Sequence, residues 1–326
     1  MARIGIMSFA HMHAHSYAAC LNELPEAELA AVWDDNHSRG RKAAKQYETT
    51  HVEQLDQFLA LDMQGVIVTS ENARHREMVE AAAKAGKWVL CEKPLAPTVA
   101  DAKAIIAACK KAKVGLGTAF PVRFSEPVKA VRDMLKSGEY GEVYAASCTN
   151  NGQYPGGWFA KPAMSGGGAT MDHTVHVVDA LRWITGRDFT WVYCENGNLL
   201  HRGIDTDDVG SLHLEMEGGI QVSHIASWNR PKCFPTWGDV TMEIVCEKGV
   251  IKLDAFNQKI NVYDDKAARA EWAYWGGNPD LALIQDFVGA VDMHREPVVT
   301  GADGLSAVKV TVAAYKSAKS GRKIKV

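Results

Sequence analysis

The chain has 326 residues, 47% of them hydrophobic and 23% charged, the balance of a well-filled globular interior, and its length suits two domains rather than one core. A formal net charge of -3 leaves no basic excess to neutralise a phosphate backbone or an anionic membrane face, so nucleic acid and membranes are not expected partners. No apolar run approaches the ~20 residues of a bilayer span, and Met1-Ala2-Arg3-Ile4 leads straight into a strand pattern rather than an apolar leader, so a cytoplasmic protein is expected.

From Arg3 to about residue 120, short apolar runs alternate with amphipathic stretches, the rhythm of βαβ units. The pattern predicts strands at Arg3 to Met7, Leu29 to Trp33, Gly65 to Thr69, Trp88 to Cys91 and Val114 to Thr118, with helices over Ala14 to Asn22, Ser38 to Gln46, Arg74 to Ala85 and Val99 to Lys111. After Pro121 a helix over Pro127 to Ser137 gives way to long alternating segments. These predict a mostly antiparallel sheet from Val143 to Thr149, Thr190 to Glu195, Asp208 to Met216, Ile220 to Ser227, Val240 to Cys246, Gly249 to Asp254 and Lys259 to Tyr263. One helix, Gly168 to Thr185, interrupts them, and helices near Leu281 to Met293 and Gly304 to Lys319 close the chain. The expected fold class is therefore α/β plus α+β: a Rossmann-like doubly wound parallel sheet over 1–122, then a domain with a large, mostly antiparallel open sheet over 123–326. The seven cysteines form no C-x-x-C pair and read as buried thiols of a reducing compartment.

The first strand runs into Ser8-Phe9-Ala10-His11-Met12-His13, where a dinucleotide fold places G-x-G-x-x-G. Ser8, Ala10 and His13 stand at the three glycine positions. Small residues at two of them still let a backbone approach diphosphate, and the following helix offers its positive end. Asp34 closes the second strand, where a carboxylate receives the adenosine ribose and disfavours a 2′-phosphate, so NAD rather than NADP is expected. His11, His13 and His15 suggest a metal by their type, yet they lie on a turn with no acid or thiol close in sequence; phosphate binding or helix capping is the expectation, and no metal.

Glu92-Lys93-Pro94 ends a buried strand, at the edge where open α/β sheets bind ligands. On the helix from Gly168, Asp172, His176 and Asp179 fall near one face at spacings of four and three. An isolated Asp–His pair of this kind is as well explained by local capping and a satisfied core histidine.

Cys91-Glu92-Lys93-Pro94-Leu95-Ala96 resembles the signature of the glucose-fructose oxidoreductase, inositol dehydrogenase and MocA family, and the likeness covers nearly the whole chain. Ser70-Glu71-Asn72-Ala73-Arg74-His75 is similar to the family's T-P-N-x-x-H turn, Phe120-Pro121-Val122-Arg123-Phe124 to its F-x-x-R-F segment, and residues 166–179 to its G-G-G-x-x-x-D-x-x-x-H-x-x-D helix. The departures are the glycine-free loop, Glu71 for proline and His173 where a small or apolar residue is usual. The resemblance implies NAD as cofactor, held by Ser8, Phe9, Ala10, His11, His13, Asp34, Ser70, Asn72, His75, Glu92, Lys93 and Arg123, and a homodimer or homotetramer. It implies catalysis by Lys93, Asp172 and His176 on a sugar or polyol hydroxyl, with substrate contacts from Lys93, Arg123, Asp172 and His176; His173, beside Asp172, is a further substrate candidate outside the family's pattern.

Chemically, an alcohol carbon gives up hydride only as its hydroxyl proton leaves, so a base with pKa near the working pH is required, which suits His176. Lys93 suits stabilisation of the developing alkoxide. The Gly-rich loop before the helix adds Tyr154, Trp158 and Lys161 as substrate contacts, with Asn229, Arg230 and Lys232 as weaker candidates. Two other functions fit the same residues: an NAD-dependent glycosidase that oxidises its sugar transiently, and a sugar- or nucleotide-sensing protein that has lost the chemistry.

Overall fold

The computed structural model describes residues 1–266 and 268–326, without the side chains of residues 264, 270, 272 and 274. The chain forms two compact units, Met1–Pro121 with Asp280–Leu305, and Val122–Pro279 with Ser306–Val326.

The first unit holds strands β1 (Ala2–Met7), β2 (Ala27–Trp33), β3 (His51–Val52), β4 (Gly65–Val68), β5 (Trp88–Glu92) and β6 (Leu116–Ala119), and helices α1 (His13–Glu23), α2 (His37–Gln46), α3 (Leu55–Leu59), α4 (His75–Lys84) and α5 (Val99–Ala112). The sheet order is β3-β2-β1-β4-β5-β6, parallel throughout. Strand order reverses between β1 and β4, the switch point at which doubly wound sheets bind nucleotides at the carboxyl ends of their strands. Parallel strands covered by helices are buried on both faces, and Ile4, Ile6, Val66, Ile67, Val68, Val89 and Leu90 are all at most 1% exposed. Gly5 is required within β1, because a Cβ there would run into the Phe58 ring and the Met63 sulfur.

The second unit contains α6 (Glu126–Lys136), β7 (Val143–Gln153), α7 (Pro162–Ser165), α8 (Ala169–Thr185), β8 (Phe189–Gly197), β9 (Val209–Met216), β10 (Ile220–Arg230), β11 (Thr241–Cys246), β12 (Gly249–Asp254), β13 (Lys259–Asp264) and β14 (Arg269–Tyr274). The chain closes with α9 (Pro279–Met293), α10 (Gly301–Ser320) and β15 (Ile324–Lys325). A seven-stranded sheet runs β12-β11-β7-β10-β9-β8-β15, antiparallel except where β10 pairs with β7. Helix α8 lies on β10 and β7, with α6 against it. Residues alternate along β10, with Val222, His224 and Ala226 buried while Ser223 and Ile225 are exposed, so one face carries the core and the other stays open.

Four differences from the sequence reading have physical causes. Residues Asp280–Leu305 pack in the first unit, not with the rest of 123–326, because Phe287 and Val291 of α9 close over Gly65 of β4. Among the described residues, strand β13 pairs with β14 as a hairpin apart from the large sheet. β3, α3 and β15, of 2, 5 and 2 residues, are too short for a periodic signal. Six cysteines are buried as expected, but Cys233 is exposed.

Candidate functional site

At the carboxyl edge of the first sheet, Ser8 adopts φ +77°, the left-handed region that favours glycine, so the loop keeps the form of a glycine turn without the residue. The strain is held by bonds on every side. Ser8 N donates to the Trp33 carbonyl at 2.7 Å, Thr69 Oγ1 donates to the Ser8 carbonyl at 2.6 Å, and Ala10 N donates to Ser8 Oγ at 3.1 Å. Helix α1 opens at His13 with no acidic residue in its first turn and no side-chain cap, which fits an anion at its positive end.

Asp34 is fully buried. Its carboxylate accepts from Phe9 N at 2.7 Å, from Asn36 N at 2.8 Å and from Arg39 Nε and Nη2 at 2.7 and 2.8 Å. It is thus the organiser of the loop, and the ribose role expected of it meets a carboxylate already saturated. Its neighbour Asp35, paired with Arg74 and Arg39, is the exposed acid of this corner.

Ser70, Asn72 and His75 all lie buried at the head of α4. His75 lies between two carbonyls, with Nδ1 at 3.0 Å from Pro94 O and Nε2 at 3.2 Å from Ser70 O; burial lowers its pKa, and the neutral ring donates to one of them. It is a strut that fixes the Glu92-Lys93-Pro94 turn, whose Lys93–Pro94 peptide is cis.

Glu92 is the fully buried centre of this edge. Oε1 lies 2.6 Å from His13 Nδ1 and accepts from Tyr17 OH at 2.9 Å, while Oε2 accepts from Lys93 N at 2.5 Å. Burial pushes the carboxyl up, but His11, His13 and Lys93 beside it hold it well below the usual range. For His13 burial acts downward, yet Glu92 outweighs it and the imidazole is raised. His11, His13 and Glu92 have the ligand types of a zinc site. The 2.6 Å spacing of His13 Nδ1 and Glu92 Oε1 is that of a hydrogen bond, shorter than the roughly 3.3 Å between two ligands about 2 Å from one tetrahedral ion.

In the second unit, α8 starts on a built socket. A Cβ at Gly168 would collide with the Asp207 carbonyl oxygen, so only glycine fits. The Asp207 carboxylate accepts from Gly168 N at 3.1 Å, Thr170 N at 2.7 Å and Tyr315 OH at 2.5 Å. One turn on, Asp172 is 8% exposed and accepts from Trp228 Nε1 at 3.2 Å. His173 Nε2 lies 3.2 Å from the same carboxylate, and its Nδ1 lies 2.9 Å from the Asn150 carbonyl. A carbonyl only accepts, so Nδ1 carries a proton and Nε2 is the nitrogen turned to Asp172. His176, four residues after Asp172, is half-buried.

Tyr154 stacks on His201 with centroids 4.5 Å apart and sits 5.6 Å from the Trp228 ring. Trp158 stacks on Phe159 at 3.9 Å, and Phe159, Trp228, Ala169, Tyr154, Trp158 and Ile204 form one cluster at the head of α8. Lys161, Asn229 and Lys232 are exposed and Arg230 pairs with Asp239, so these four stand outside the Asp172 network. Arg123 is also elsewhere: its guanidinium grips Asp179 at 2.7 and 2.6 Å, with 4% and 0% of the two side chains exposed. That buried pair gives Arg123 a structural partner in addition to the cofactor and substrate contacts expected of it.

Sequence reasoning missed Trp228, Asn150, Asp207 and His201. The signal nearest to Trp228 was its own neighbourhood, since Asn229 and Arg230 had been singled out one and two places on.

Residues 2–120 match the model of an oxidoreductase family with an NAD-binding Rossmann fold, and residues 128–252 match the GFO/IDH/MocA C-terminal domain. The rhizopine catabolism protein MocA of Rhizobium meliloti is 31% identical over 325 residues, 96% of this chain and 93% of that protein. The chain belongs to the Gfo/Idh/MocA oxidoreductase family. This member is an NAD-binding enzyme whose relatives include sugar and cyclitol dehydrogenases. The myo-inositol 2-dehydrogenase of Thermotoga maritima is 26% identical over 342 residues, covering 99% of this chain and 98% of the relative. The crystal structure of GenD2 from gentamicin A biosynthesis, in complex with NAD, superposes with a TM-score of 0.91 at 23% identity, covering 100% and 97% of the two chains, and shows the same fold. No helix among the described residues is long and apolar enough to cross a membrane.

Proposed function

We propose that this oxidoreductase oxidises a secondary hydroxyl of a sugar, sugar derivative or cyclitol, with NAD preferred over NADP. The reading rests above all on Asp172, nearly buried yet enclosed by Trp228 Nε1 and His173, one helical turn before His176 on the same face of α8. Such a carboxylate is placed to orient a polyhydroxylated ligand or the imidazole beside it, which a purely packed helix does not need. Bound NAD+ would supply the hydride acceptor. His176 takes the hydroxyl proton, Asp172 holds an adjacent hydroxyl or steadies the imidazole, and Lys93 donates a hydrogen bond to the developing alkoxide. Tyr154, stacked on His201, offers an aromatic face to the apolar side of a sugar ring. We further propose that the protein works in the cytoplasm as a homodimer or homotetramer.

The test is a panel of sugars, cyclitols and glycosides incubated with NAD+, followed by the absorbance of the reduced cofactor. Accumulation of NADH on one polyol class supports the reading. Cleavage of a glycoside without accumulation would replace it with the redox-assisted glycosidase, and NAD binding with neither outcome would favour the sensor.

A further inference from the structure

The cofactor loop of this protein has spent its backbone donors. From Ser8 to His15, seven of the eight N–H groups donate within the fold: Ser8 to Trp33 O, Phe9 to Asp34, Ala10 to Ser8 Oγ, His11 to Thr69 O, His13 to His11 Nδ1, Ala14 to His11 O and His15 to Met12 O. In a glycine loop these outward amides and the helix end cradle the diphosphate of a dinucleotide. Here Met12 N alone is left from that stretch, and two phosphate charges need another partner.

The substituted side chains provide one. His13 occupies the third glycine position and is the first residue of α1, where the diphosphate of a doubly wound fold rests. Its side chain is 28% exposed over the fully buried Glu92, and Nδ1 faces inward to Glu92 Oε1 at 2.6 Å. Glu92 cannot turn away, since Tyr17 OH and Lys93 N hold its two oxygens. The ring is pinned by one nitrogen, leaving Nε2 as the outward donor. Besides Glu92, the charged and titratable groups facing His13 are Lys93 and Asp280, with the rings of His11 at 4.4 Å and Tyr17 at 6.0 Å.

We propose that His13, ion-paired to Glu92, is the cationic group that binds the diphosphate of NAD in this enzyme, replacing the amides of a glycine loop by a side-chain charge. The inference rests on NAD being the cofactor and is independent of the substrate. It also accounts for His13 at a position where dinucleotide folds ordinarily keep a glycine. Burial acts to lower the His13 pKa, but Glu92 outweighs it and raises it above its ordinary value, so the charge persists to higher pH than on a free imidazole. Diphosphate affinity must then be strong below that raised pKa and fall as pH rises through it.

The experiment measures dissociation constants of the intact protein for NAD+, ADP-ribose and adenosine by calorimetry from pH 6 to 9.5, with metal content determined on the same samples. The expected result is a loss of about tenfold or more in affinity for NAD+ and ADP-ribose at the alkaline end, the scale of one charge-assisted contact, with adenosine unchanged. His13→Gln should bind NAD+ weakly at every pH, and Glu92→Gln should move the fall to lower pH. The wild-type titration needs no variant to fold, and ¹³C-labelled histidine gives a second readout: ADP-ribose must raise the His13 pKa. Affinity flat with pH, or a His13→Gln variant with wild-type affinity, overturns the proposal. So does stoichiometric zinc whose chelation abolishes binding, which would make His13 Nδ1 a ligand rather than a hydrogen-bonding atom. Absence of NAD+ binding at any pH would instead refute the cofactor reading on which it stands.

Discussion

The Arg123–Asp179 pair decides between two duties for a residue that resemblance assigned to ligand binding. Both side chains are almost wholly buried and share two hydrogen bonds of 2.7 and 2.6 Å. Removing one partner strands a buried charge, which costs about 3–5 kcal/mol, whereas replacing both with apolar residues of like volume is near neutral. Arg123→Met alone is therefore expected to destabilise by about 3–5 kcal/mol, and Arg123→Met with Asp179→Leu to return within about 1 kcal/mol of the wild type. Urea unfolding followed by tryptophan fluorescence measures all three variants, and NAD+ affinity is measured on the folded double variant. That affinity should stay within about twofold, a difference of under half a kcal/mol. A double variant no more stable than the singles would refute the pairing argument. One that recovers stability but loses NAD+ binding tenfold would restore a cofactor role to Arg123.

Three further outcomes follow from the geometry. His176→Gln should cut kcat by about 10²- to 10⁴-fold, the usual scale of one general base, while NAD+ affinity measured by titration stays unchanged; full turnover would remove it from the mechanism. Trp228→Phe deletes the donor to Asp172, a hydrogen bond to a charged group that contributes about 1.5–3 kcal/mol to stability, and should lower the urea midpoint accordingly as well as kcat/KM measured on the folded variant. His224, buried in β10, has its pKa lowered to about 3 by burial. The unfolded chain takes up that proton near pH 6.5 and the folded one does not, so stability falls as pH drops from about 6.5 toward 3, by about 2 kcal/mol between pH 7.5 and 5. Urea midpoints at those two pH values should differ by less in His224→Leu than in the wild type.

The sequence disclosed the parallel sheet because strands buried on both faces are continuous apolar runs, as in Val66-Ile67-Val68. It also singled out Lys93, Asp172 and His176 as candidates, because their spacing and position at element ends are local properties. The partners of those residues were not local. Trp228 reaches Asp172 across 56 positions, a contact set by the register of β10 on β7 and the seat of α8 over both strands. Asp207 holds the start of α8 from 37 and 39 positions away, again a product of tertiary packing. Asp34 was legible as an acid at a strand end, yet its burial and its claim by Arg39, only five residues on, depend on how α2 folds back.

A glycine fingerprint combines two separable properties, a backbone turn and a row of outward amides. Ser8 shows the first surviving alone. A non-glycine residue in the left-handed region costs about 1–2 kcal/mol, and the bonds from Ser8 to Trp33, Thr69 and Ala10 are of the number and kind that offset such a cost. Two of those bonds engage the Ser8 and Ala10 amides, and Asp34 and the Thr69 carbonyl take those of Phe9 and His11, so the second property is lost beside the first. Recognition of an anion must then pass to side chains, and cationic side chains at this edge need a buried counter-charge to stay ionised. Ser8 and His13 are thus coupled substitutions set against Glu92: restoring glycine at position 8 alone would relax the turn without returning the amides, because Asp34 and Thr69 would still hold Phe9 N and His11 N.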